Sequence, residues 1–216
     1  MIVRVDIPET VTSIGERAFV CNNLTTVTGA EGVTAIDNSA FMDCYKLSSI
    51  PDFTKLTSLG QEAFSGTALS SVTIPAAITE IPQGAFSYVS ELTQVTFLGS
   101  VTSIGNNAFS GTGLTSFTVP ESVTSIGSSA FSNCASLAAV TLPSTLTTLG
   151  NQAFSGCTAL ESVTLGDGVQ SIGQRAFDRC SELTSINFPS TLTTINGAAF
   201  RYCGFTSIEI PSTVTE

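Results

Sequence analysis

Cysteine, carboxylate and hydroxyl side chains are the groups in this sequence that could do chemistry. Six cysteines stand at Cys21, Cys44, Cys134, Cys157, Cys180 and Cys203. An even set of this kind can serve as a disulfide framework, a metal site or a source of nucleophiles. Histidine is absent, which removes the imidazole base of Ser–His and Cys–His pairs and the usual metal ligand. There is also no C-x-x-C, so the short ligand spacing of a zinc site is missing. Asp178 with Glu182 and Glu161 with Asp167 are local carboxylate pairs at turn positions, where a solvated face is the plainer reading. Gly111-Thr112-Gly113 lacks the lysine and the strand–loop–helix context of a phosphate loop. No catalytic, cofactor-binding or metal-binding residue is assigned, and the chain reads as a non-enzyme without a cofactor.

Composition narrows the partners. The 216 residues are 42% apolar but only 11% charged, with a formal net charge of −10. Disorder does not fit so apolar a chain. Nucleic acid and anionic membrane do not fit so acidic a one. No apolar run approaches the roughly 18 residues of a spanning helix. Serine and threonine crowd every segment and must cover much of the surface.

What positions these groups is a repeat. The dipeptide Ala-Phe places its phenylalanine at Phe19, Phe41, Phe64, Phe86, Phe109, Phe131, Phe154, Phe177 and Phe200, at spacings of 22 or 23 residues. A second ruler, Leu24, Leu47, Leu69, Leu92, Leu114, Leu137, Leu160 and Leu183, lies 17 residues before the next such phenylalanine. One copy reads L-x-x-V-x-I-P-x-x-V-T-x-I-G-x-x-A-F-x-x-C. The first part predicts a strand with Leu, Val and Ile inward, ended by a proline such as Pro75 or Pro143. V-T-x-I predicts a second, shorter extended piece. A turn column follows at Gly15, Asp37, Gly60, Pro82, Gly105, Gly127, Gly150, Gly173 and Asn196. It reads as a cap for one short helical turn that drops the phenylalanine inward. A single copy cannot bury its own apolar face, whereas stacked copies cover one another. Residues 1–216 are therefore expected to form one solenoid array. Both ends fall within repeats, which suggests a piece of a longer chain.

The repeated string resembles the BspA-type, or treponemal-type, leucine-rich repeat. The resemblance runs over essentially the whole chain. It implies a right-handed, β-rich, horseshoe-like leucine-rich-repeat solenoid of about nine coils, displayed outside a bacterial or protozoan cell. The family motif consists of core residues, so no catalytic residue carries over. What it implies is adhesion or recognition of a protein ligand on a host or microbial surface. The alternative is a structural spacer or rod that associates end to end through exposed strand edges.

Two copies depart from the pattern. The third inward position is Gly29 after Leu24, and Asp52, preceded by Pro51, after Leu47. Local bending or bulging is expected at both, either as a tolerated irregularity or as a contact point made different. Cys44, Cys134, Cys157, Cys180 and Cys203 share one phase, three residues after the phenylalanine. Other copies place Thr67, Val89 or Thr112 there, so a column of small buried thiols is the expectation, with bridges between neighbouring coils as the alternative.

Two surfaces are candidates for a partner. Thr73, Thr96, Thr118, Thr141 and Thr164 form an outward hydroxyl row. It reads as strand propensity, as a broad weak recognition face, or as a lattice that orders water. Arg175, Arg179, Arg201 and Tyr202 form the best anchor cluster, since Arg and Tyr lead interface hot spots.

Overall fold

The computed structural model describes residues 2–20 and 23–216. Cys21, the one cysteine out of phase, lies outside them. Successive copies lie on one another as coils, numbered here by their phenylalanines from Phe19 (coil 1) to Phe200 (coil 9). Because the repeat length varies by only one residue, equivalent positions meet: Val72 pairs with Val95 and Thr73 with Thr96, while Val140 sits between Phe117 and Val163.

Each coil carries two extended pieces. The longer strands pair in parallel, Arg4–Ile7 with Thr26–Gly29, Ser71–Ile74 with Gln94–Phe97, and Ser116–Thr118, Ala139–Thr141 and Ser162–Thr164 as a triplet. The second row consists of two-residue strands. Glu80–Ile81, Ser103–Ile104, Ser125–Ile126, Thr148–Leu149, Ser171–Ile172 and Thr194–Ile195 form one sheet. Ser13–Ile14, Ala35–Ile36 and Ser58–Leu59 form another. Prolines between the two pieces accept a turn bond from the residue three further on, as in Ile78 N–H to Pro75 O at 3.0 Å. A missing N–H costs nothing there.

The Ala-Phe segment is not the expected helical turn. Residues two before and two after the phenylalanine sit at positive φ, for example Ser129 at 56° and Asn133 at 57° around Phe131. Left-handed residues alternating with right-handed ones point every second N–H along the stacking axis. Ser129, Phe131 and Asn133 donate to Asn151, Ala153 and Ser155 of the next coil at 2.7–2.8 Å. The N–H groups between them close local turns, as Ser132 N–H does on Ser129 O at 3.1 Å. A helix would direct all these donors within its own coil and leave the edge without a ladder.

The glycine column does not cap a helix either. None of its glycines has positive φ; they are sites of close approach. A Cβ on Gly150 would lie 2.5 Å from Ile126 O, and one on Gly173 would lie 2.6 Å from Leu149 O. A Cβ on Gly15, in coil 1, meets nothing within 4 Å. Asn38, Asn106 and Asn151 line up just after this column. Each side-chain oxygen accepts the N–H of the equivalent residue one coil on at 2.8 Å.

The interior is one apolar cluster. The phenylalanines of neighbouring coils stack nearly parallel, with centroids 5.2–5.8 Å apart. The widest step, 5.8 Å, is Phe64 on Phe86. There the array changes. Between coils 3 and 4 neither strand row is paired. Pro82 occupies the position from which Gly60, Gly105 and Gly127 donate N–H to the preceding coil, so that bond cannot form. On the other row Pro51 and Asp52 replace an aliphatic strand end, and Phe53 turns inward onto Phe64 at 6.3 Å. The turn edge continues the ladder across this seam, through Glu62, Phe64 and Gly66 N–H to Gln83, Ala85 and Ser87 O, and Ala68 N–H to Leu47 O adds one backbone bond ahead of the missing strand. The expected distortion at Gly29 takes another form. Gly29 and Ala30 both adopt positive φ, yet the strand stays paired with coil 1.

Candidate functional site

The thiols face inward, where their chemistry is quenched. Cys44, Cys134, Cys157, Cys180 and Cys203 all lie in one column, and the last four are unbridged. Each S–H donates to the backbone oxygen of the previous coil's phenylalanine, at 2.7 Å for Cys44–Phe19 and 3.1–3.2 Å for the others. Burial pushes Cys180 up to about 12 and Cys203 to about 11. Contact with the Cys134 thiol, then burial, raises Cys157 well above its ordinary value. A nucleophile needs the thiolate, which is suppressed at Cys157, Cys180 and Cys203; Cys134 is shifted down by its hydrogen bond with Cys157 but is fully buried. Among the described residues no group of His, Cys, Asp or Glu could hold a metal ion.

The hydroxyl row faces outward. Thr73, Thr96, Thr118, Thr141 and Thr164 are exposed, and none is engaged in a side-chain hydrogen bond among the described residues. The row is not one lattice. Thr73 and Thr96 are in register, as are Thr118, Thr141 and Thr164, but no pairing joins Gln94–Phe97 to Ser116–Thr118. Phe97 and Phe117, edge to face at 6.2 Å, occupy that junction. A second threonine row, which the sequence does not distinguish from the first, is spent internally. Thr34, Thr57, Thr102 and Thr124 donate to the preceding coil's carbonyls at 3.1–3.2 Å.

At the turn edge the structure brings Arg175, Arg179, Arg201 and Tyr202 around a residue that the sequence reading set aside as solvated. Asp178 is 4% exposed. It accepts Nε and Nη2 of Arg201 at 2.9 and 2.8 Å. These bonds hold its carboxyl below the ordinary range against the opposing cost of burial, and the charges of Arg179 and Arg175 add to them. Arg201 also lies over the Tyr202 ring at 4.9 Å, a cation–π contact. One carboxylate thus binds one guanidinium directly and lies in the field of two more, which leaves a local positive excess on an acidic molecule.

The cluster shares the left-handed backbone that recurs along the whole turn edge. Arg175, Arg179 and Tyr202 have φ of 55°, 63° and 58°, in columns where other coils place Gly84, Gly66, Gly111 and Gly156. A left-handed L-residue costs about 1–2 kcal/mol. Tyr202 stands 66% exposed. Arg175 Nε is buried without a hydrogen-bond partner. The alternation of glycine with large residues in these columns was the available signal in the sequence.

With the geometry in hand, comparison with known proteins places the array. A model described as BspA type leucine rich repeat region (6 copies) matches residues 1–112 and 102–216. The chain belongs to the BspA-type leucine-rich repeat family. A leucine rich cell surface protein from Faecalibacterium prausnitzii is 30% identical over 99% of this chain and 74% of its own, with a TM-score of 0.62. The leucine-rich repeat protein of T. pallidum is 26% identical over 85% of this chain and 78% of its own, with a TM-score of 0.58. The pneumococcal vaccine antigen PcpA, 20% identical over 88% of this chain and 62% of its own at a TM-score of 0.60, shares the fold. No functionally curated protein matches. BspA-type solenoids are typically non-catalytic, consistent with an array whose cysteines are sequestered.

Proposed function

We propose that this BspA-type array is a recognition module displayed at a cell surface, binding a protein partner along its turn edge. The observation that carries the reading is the cluster of Arg175, Arg179, Arg201 and Tyr202. It exposes an aromatic ring and leaves Arg175 Nε buried without a hydrogen-bond partner. Its chemistry suits an acidic patch, since Arg binds carboxylates in a bidentate fashion. Surface display is supported by the F. prausnitzii relative, named as a cell surface protein.

The test is the double variant R179G/Y202G, which removes two anchors and relieves their strain. Biotinylated cell-surface proteins captured by the wild-type array and released by raised salt are identified and titrated against both proteins. The expected result is lost or strongly weakened binding in the variant at equal or higher thermal stability. Equal binding by both proteins, or no saturable ligand for the wild type, refutes the reading.

A further inference from the structure

Over coils 3 to 7 the turn edge carries a pattern that the arginine cluster does not use. Two residues after the phenylalanine, glycine alternates with a large side chain: Gly66, Tyr88, Gly111, Asn133 and Gly156. Each of these glycines has positive φ and lies under a planar group from the coil before. Tyr45 Cε1 is 3.4 Å from where a Cβ on Gly66 would stand, Tyr88 Cδ1 is 3.2 Å from one on Gly111, and Asn133 Oδ1 is 2.5 Å from one on Gly156. The missing Cβ makes a bed for each flat side chain, so a planar group recurs at every second coil. Tyr45 and Tyr88 are 59% and 69% exposed. The Asp43 carboxylate, hydrogen-bonded to the Tyr45 hydroxyl, ties that ring down. The seam leaves a cavity of about 100 Å³ between coils 3 and 4, walled in part by Phe53 and Ile74, but the turn edge runs past it unbroken.

We propose that this row binds a neutral, extended β-1,4-linked glycan lying along the solenoid axis. The site is separate from the protein-binding cluster of coils 8 and 9 and does not depend on it. The apolar C–H face of a pyranose packs on an exposed aromatic ring, while its hydroxyls stay free to bond Asn133 and Asp43. The step fits. Stacked phenylalanines advance 5.8 Å from coil 3 to coil 4 and 5.6 Å from coil 4 to coil 5, close to the advance of one sugar in an extended β-1,4 chain. Successive sugars in such a chain are turned over, so every second one presents the same face. A platform at every second coil meets that face each time. Peptides do not share the step. Two residues of a strand advance about 6.7 Å and three of polyproline about 9.3 Å, and both fall between one coil and two. Charge selects a neutral polymer, because the net charge of −10 repels uronates and sulfated chains.

Cellohexaose and mannohexaose, both β-1,4-linked, are titrated into the whole chain by calorimetry, with maltohexaose and decaproline as controls. The tighter of the two β-1,4 hexaoses is expected to bind saturably and at least about tenfold more tightly than its own disaccharide, which can cover one platform only. Y88G, which installs the glycine that other coils use, should keep thermal stability and weaken the hexaose about three- to tenfold, and Y45A should weaken it by a similar factor. The proposal is overturned if neither β-1,4 hexaose binds saturably, if maltohexaose or decaproline binds as tightly, or if Y88G and Y45A leave affinity unchanged. R179G/Y202G should leave these titrations unaltered, so failure of the glycan row and failure of the protein-binding cluster are separately visible. Loss of hexaose binding in that variant would move the site to coils 8 and 9 and overturn the assignment.

Discussion

Coils 6 to 8 and the junction of coils 3 and 4 use the same repeat and reach different ends. In coils 6 to 8 all three ladders run through: longer strands from Ser116 to Thr164, the two-residue row, and the alternating-hand turn edge. At the junction the turn edge continues and Ala68 N–H still reaches Leu47 O, but neither strand row is paired. The cause is a few residues. Pro82 deletes a donor, and Pro51 with Asp52 ends a strand early and brings Phe53 inward. The phenylalanine stack survives this, opening only to 5.8 Å. The aromatic column and its turn-edge ladder are thus the spine, and the strand rows can be interrupted.

That contrast can be tested by perturbing both regions. The largest effect is expected from core truncation. Phe131, fully buried between Phe109 and Phe154 and against Phe117, should cost about 3–5 kcal/mol when cut to alanine. F53A, beside the seam cavity, should cost at least about 1 kcal/mol less, because its surroundings can relax. Urea unfolding of both variants measures the difference, and equal losses would erase the distinction. Next comes G150A, whose Cβ would press on Ile126 O and Gly127 O. It should cost about 1–3 kcal/mol, against about 0.5 kcal/mol or less for G15A.

A third test asks whether the seam divides the array cooperatively. Cys44 lies before it, and Cys157 and Cys180 after it. With buried thiols unreactive in the native state, Cys44 should become labelled at lower urea than Cys157. Simultaneous exposure would show one cooperative unit. The fourth is a pH effect confined to the regular half. Asp178 has a folded pKa held below its unfolded value. Its contribution is therefore present above the ordinary carboxylate range and fades as pH falls through the lowered value. D178N should flatten that acid-side decline in thermal stability; an unchanged acid limb would contradict the role assigned to the Arg201 pair. The smallest effect is expected from P82A. The restored N–H can donate toward coil 3 for about 0.5–1.5 kcal/mol, offset by about 0.4–1 kcal/mol of lost chain stiffness. Stability should move by less than about 1 kcal/mol, while residue 82 should gain a slowly exchanging amide. Fast exchange there would show that the gap has another cause.

The period, the two extended pieces and the inward residues were legible because each is a column repeated nine times. The helical turn was misread because x-x-A-F-x-x is compatible with helix when each copy is considered alone. Only the next coil's carbonyls, waiting at 2.7–3.1 Å, make alternating φ favourable. The glycine column was misread for the same reason, since its constraint is a neighbouring coil and leaves no trace in local propensity. Asp178 passed as a solvated carboxylate because its partner, Arg201, lies 23 residues away. The Pro51–Asp52 irregularity was visible, but not that Pro82, in another column, opens the same junction.

By itself the sequence determined that the chain is a solenoid, since a 22- or 23-residue unit too small to bury its own face must stack on copies of itself. Its columns of phenylalanine, aliphatics and small thiols already name the interior. Only the tertiary structure decided the handedness of the turns, the fate of each hydroxyl and the place where the stack opens. Those depend on which backbone group of one coil meets which group of the next, and such meetings are set by three-dimensional register rather than by residue type.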